Sequence, residues 1–190
     1  MLPKIKPMNI HQLSVIYEER QDRLILKLNT QDSKEFRFWL TRRMAIRLIP
    51  ALDQSVVKLE AAQPGIAATD EPTQKLLTEL KRDAFLQTAD FATPYSSEPQ
   101  QLPLGDKPLL ITDAQLNMQA NGSLQVTFQE KLGPNGQSCL LNLQAPLVHG
   151  LIHLIRQSMT KADWGWMPQG EQISATESPS AMPEQPAYKH

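Results

Sequence analysis

Between residues 36 and 49 the hydrophobic repeat switches from about two residues to about 3.6, and that switch constrains the fold more than any other feature. Phe36, Phe38 and Leu40 alternate with Arg37, Trp39 and Thr41, the pattern of a half-buried strand. From Thr41 onward the apolar residues fall at Met44, Leu48 and Leu52, with Ala45, Ile49 and Val56 beside them, which is one face of a helix. Thr41 suits the N-cap, where its hydroxyl accepts a hydrogen bond from a first-turn N–H. Pro50 brings no donor and crowds the carbonyl of Ile46, so a kink or a break is expected there.

A degenerate copy of this stretch returns at residues 139–159. Leu40, Met44, Leu48, Ile49 and Leu52 fall on Leu143, Leu147, Leu151, Ile152 and Ile155 at a constant spacing of 103. Upstream, Leu24, Leu26 and Leu28 match Leu124, Val126 and Phe128, and Val15 and Tyr17 match Leu116 and Met118. Small changes of loop length separate the sets of matches. The pattern points to an internal duplication.

Read in order, residues 1–12 carry two prolines and form an irregular arm. Strands are expected around Val15, around Leu26 and over 36–40, closed by the helix. Thr69 or Asp70 caps a second helix that begins near Pro72. Its apolar face is read as Leu76, Leu77, Leu80, Ala84 and Phe85. Residues 93–108 hold four prolines and read as a linker. Leu109-Leu110-Ile111 opens the second meander. Asn121-Gly122 signals a type I′ hairpin turn. Residues 169–190 are rich in Pro, Gln, Ser and Glu with little to bury, and are expected to be disordered.

The fold class expected is therefore α+β: two antiparallel three-stranded meander-plus-helix (βββα) units, a connecting helix and a disordered C-terminal tail. The first unit spans 1–60, the connector helix and Pro-rich linker 61–108, the second unit 109–168 and the tail 169–190. The alternative division is a single compact domain.

Composition narrows the function classes. Net charge is −1, so the chain has no global pull toward nucleic acid or an anionic membrane. No stretch reaches the roughly 18 apolar residues of a membrane span. The first seven residues lack the apolar core of a signal peptide, and the single cysteine fits a reducing cytoplasm. The glycine-rich turn at 133–136 lacks the Lys-Ser/Thr ending of a phosphate loop, and no nucleophile-elbow motif occurs. An enzyme is not expected, nor a cofactor.

Three groups are candidates for chemistry. The first is Arg37, Trp39, Arg42, Arg43 and Arg47. Trp39 and Arg37 lie opposite the core-facing Phe38 and Leu40. Arg42 and Arg43 fall in a first helical turn, where positive charge opposes the helix dipole by roughly 0.3–1 kcal/mol. Residues 1–60 hold eleven Lys or Arg against seven Asp or Glu, a local charge of +4. The competing reading is a solvated helix face whose arginines pair with Glu18, Glu35 or Asp53. The second group is His149 and His153, four apart on a helix, a metal-compatible spacing with no third ligand to complete it. A polar or interfacial face is the preferred reading, and no metal is expected. The third is Trp164 and Trp166, read as covering a domain edge.

The resulting expectation is a non-enzymatic binding protein that uses the Arg/Trp surface of the first unit to hold another protein, with self-association open. The alternative is single-stranded DNA or RNA binding through a sheet face. Tandem curved sheets backed by helices resemble, in topology, those of the Pur and Whirly families. Trp39, Phe38 or Tyr17 would then stack on bases, and Arg37, Arg42 and Arg43 would hold phosphates.

Overall fold

The switch of period at Thr41 is where strand becomes helix. The structure, a computed structural model, describes residues 10–62, 70–96, 101–133 and 136–164. In chain order the elements are β1 (Ile10–Glu18), β2 (Arg23–Thr30), β3 (Glu35–Thr41), α1 (Arg42–Ala61), α2 (Glu71–Thr88), β4 (Leu109–Leu110), β5 (Asp113–Met118), β6 (Leu124–Gln129), β7 (Ser138–Leu143) and α3 (Ala145–Lys161). They make an α+β fold of two sheets and three helices, ordered β1-β2-β3-β4 and β5-β6-β7. The arm before Ile10 and the tail 169–190 lie outside the described residues.

The Thr41 hydroxyl accepts from the Met44 N–H at 3.2 Å, capping α1 as expected. The break at Pro50 does not occur: α1 runs unbroken from Arg42 to Ala61. Ile46 and Pro50 both lie on the exposed side of the helix, so water can bond the carbonyl that proline leaves unpaired. At the β5–β6 hairpin only Gly122 has positive φ, and the Gln119 N–H reaches the Ser123 carbonyl. The turn is thus a three-residue loop closed by glycine rather than type I′.

The two meanders share one register. In the first, Leu24, Leu26 and Leu28 pair with Leu40, Phe38 and Phe36. In the second, Leu124, Val126 and Phe128 pair with Leu143, Leu141 and Cys139. Val15–Leu26 and Tyr17–Leu24 likewise correspond to Leu116–Val126 and Met118–Leu124. Each pair in one meander is the sequence-matched pair in the other. The inward residues of β2 and β6 are fully buried, each gaining about 1.5–3 kcal/mol from burial.

The match is incomplete at the sheet edge. Leu109 and Leu110 do not open the second meander. They form β4, parallel to β3, with Phe38 opposite Leu109 and Trp39 opposite Leu110. The linker before them also follows the first sheet: the Glu35 N–H bonds the Gln101 carbonyl at 2.8 Å. No counterpart of β4 lies beside β7 among the described residues.

The helices exchange partners. α3 packs on β1 of the first sheet and α1 packs on β5 of the second, while α1 and α3 lie against each other. Phe38 and Phe128 meet edge to face at 5.3 Å, so both sheets feed a single core. α2 is capped by Asp70, whose carboxylate accepts from the Thr73 N–H, and it packs across α1 and α3. Its orientation differs from the expected one. Leu77, Lys81, Arg82 and Phe85 turn toward the body, while Leu76, Leu80 and Ala84 are exposed.

Candidate binding surface

Alternation along β1, β2 and β3 sends every second residue away from the core. The pairing then aligns Ile16 with Ile25, Ile25 with Trp39, and Trp39 with Leu110. An apolar row therefore crosses all four strands on the outer face of the first sheet. Ile16 is 52% exposed, and Ile25, Trp39 and Leu110 are partly exposed. One neighbouring row carries Lys27 and Arg37, and the other carries Arg23 with Glu18. This surface is apolar at its centre and mainly basic at its margins.

One margin is closed by the linker. The Gln12 side chain holds Asn29 at 2.9 Å and the Ser96 N–H at 3.0 Å, and the Tyr95 hydroxyl donates to Glu35 at 3.1 Å. Burial and the Glu35 carboxylate together push the Tyr95 phenol pKa up, keeping it a donor. Arg37 lies 3.5 Å from Glu35 and donates to the Asp106 carbonyl at 2.8 Å. Its guanidinium thus anchors the linker, in addition to flanking Trp39.

The five sequence-selected residues fall on two surfaces. Arg37 and Trp39 share the sheet face. Arg42, Arg43 and Arg47 are exposed on α1. Arg42 is close enough to Asp22 to help hold that carboxyl below its usual range, after the hydrogen bonds from Trp164 and Tyr17. Arg47 lines a shallow groove of about 240 Å³ between α1 and β5, with Met44, Ala51, Asp113 and Leu116 among its walls. Sequence spacing missed Ile16, Ile25 and Leu110 as members of the sheet row, because only strand register brings them beside Trp39.

The remaining candidates have structural surroundings. His149 is buried, with Nε2 3.4 Å from Glu60 Oε1 but in no hydrogen bond, and its ring lies 6.3 Å from that of Phe85. Burial pushes its pKa down. Glu60 is also buried, and Lys81 of α2 donates to it at 2.5 Å. The His153 ring lies tilted against Phe91, with centroids 4.9 Å apart. Among the described residues no three His, Cys, Asp or Glu side chains are grouped to hold a metal ion. Cys139 is buried, which pushes its thiol up to about 12 and leaves it un-ionised at neutral pH. Trp164 is buried, donates to Asp22 at 2.9 Å and meets Tyr17 edge to face, so it does cover the end of the first hairpin. Trp166 lies outside the described residues.

No protein-family model, curated protein or solved structure matches this chain. Among the described residues, no helix is long and apolar enough to cross a membrane.

Proposed function

We propose that the protein is a non-catalytic binding module whose ligand surface is the outer face of the four-stranded sheet. The observation that carries this reading is the row Ile16–Ile25–Trp39–Leu110, aligned by register and flanked by Arg23, Lys27 and Arg37. An aromatic anchor within an apolar strip, rimmed by charge, is the composition of a protein-binding surface. The partner is another protein, with acidic groups set around an apolar centre.

The same reading includes an internal duplication. The shared register, the exchanged helix packing and the side-chain contact between Asp53 and Arg156, which are 103 positions apart, support it. A local two-fold axis brings a position against its own equivalent. The sequence correspondence also reaches further upstream, where Lys6-Pro7 and Ile10 recur as Lys107-Pro108 and Ile111.

The nucleic-acid alternative has lost most of its stacking platform. Phe38 is fully buried, and Tyr17 is committed to Trp164 and Asp22, leaving Trp39 as the only one of the three proposed stacking aromatics available.

Affinity capture with wild type and with Ile16→Glu/Trp39→Ala tests the proposal. The variant should lose proteins that the wild type retains, with an unchanged circular dichroism spectrum. Identical capture by both would remove the sheet face from the account.

A further inference from the structure

α1 and α3 can be compared position by position, taking them as equivalents as proposed above. Ala45, Leu48, Ile49, Leu52 and Val56 are buried, and so are Val148, Leu151, Ile152, Ile155 and Met159. The equivalence fails where α2 lies. His149 and Gly150 are buried at the α2 seat, and Phe85 is 3.6 Å from where a Cβ on Gly150 would sit. Their counterparts on α1, Ile46 and Arg47, are exposed, and Ile46 is 42% exposed. Glu60 is buried under α2, whereas its counterpart Asp163 is exposed. Among the described residues, one helix seat is therefore filled by α2 and an equivalent seat is left open.

The open seat has a definite chemistry. Arg43, Ile46, Arg47 and Pro50 are spaced i, i+3, i+4 and i+7, so they form one two-turn face of α1. No acid sits in the first turn of that helix to balance Arg42 and Arg43. A matching face of opposite sign occurs on α2. Leu76, Glu79, Leu80 and Asp83 have the same spacing, and all four are exposed. The two leucines are 56% and 58% exposed. Lys81, one of the helix's cations, is turned inward onto Glu60. Asp83 pairs with Arg82 at 2.9 Å at the edge of the face.

We infer that the protein self-associates, with the outward face of α2 from one copy seated on the Arg43–Ile46–Arg47 face of α1 in a second copy. Leu76 and Leu80 cover Ile46, and Glu79 and Asp83 oppose Arg43 and Arg47. Both faces are present on every chain, so two copies can exchange helices about a two-fold axis. The sheet face carrying Trp39 takes no part.

Sedimentation equilibrium at low and high salt, on the full chain, tests this inference. The wild type should associate reversibly at low salt and dissociate as salt screens the charges. Arg43→Glu/Arg47→Glu and Glu79→Lys/Asp83→Lys should each sediment as monomers. An equimolar mixture of the two should regain association, since each contact then pairs opposite charges again. All substituted positions are exposed, and circular dichroism checks that the variants fold. A wild type that stays monomeric at low salt, a double variant that still associates, or a mixture that stays monomeric would overturn the inference. Association that survives Ile16→Glu/Trp39→Ala keeps this result separate from the sheet-face reading.

Discussion

Trp39 and His149 show how far a side chain's role depends on neighbours that are remote in sequence. Alternation alone places Trp39 on the outer face of β3. Its membership of an apolar row depends on Ile16, Ile25 and Leu110, which register supplies. His149 has the opposite history. Helical spacing places it on a polar face, but α2 closes over that face. Burial favours the neutral imidazole, so the folded pKa lies below the unfolded value of 6.5. Stability present above that value is therefore lost as pH falls below it and through the folded pKa. His153 is shifted in the same direction, by burial first and Arg156 second, and adds to the effect. Thermal melts from about pH 8 to about pH 5 should show a falling midpoint, and His149→Phe should flatten that profile. A profile unchanged by the substitution would show that another group sets it.

At the scale of elements, strands and helices were legible because their hydrophobic periods are long and clean. The elements missed were those without a period. β4 has two residues, and its partner β3 lies roughly seventy positions upstream, so nothing local marks it as strand. Leu76 and Leu80 fit the apolar spacing of α2, yet both face solvent. Lys81 on Glu60 and Phe85 against His149 instead determine which side faces α1 and α3. Glu60→Gln removes the carboxylate from that contact and should cost about 1–2 kcal/mol, discounted because Lys81 is partly exposed. Chemical denaturation measures this cost. Proline inside a helix favours a kink or a break, yet α1 is continuous through Pro50, whose orphaned carbonyl partner faces solvent. Pro50→Ala restores the missing donor and should raise stability by about 1–3 kcal/mol. A neutral result would show that the helix already compensates for the proline.

Across the whole molecule, the two meanders share one core. Phe38 and Phe128 meet between the sheets, α1 packs on β5 and α3 packs on β1. Heat unfolding should therefore be a single transition, and Phe38→Ala should lower stability by about 3–5 kcal/mol without splitting it. The two meanders and the helices that follow them are legible in the spacing of apolar residues. The packing of α1 on β5 and of α3 on β1 is not, because it leaves no mark on the period. The sheet-face proposal is tested most directly by placing a photo-crosslinking residue at Ile16, on the outer face of the first sheet, and separately at Asn117, exposed on β5 of the second sheet. The account predicts partner adducts from position 16 that are absent or scarce from position 117. Equal labelling at both positions, or none from position 16, would contradict it.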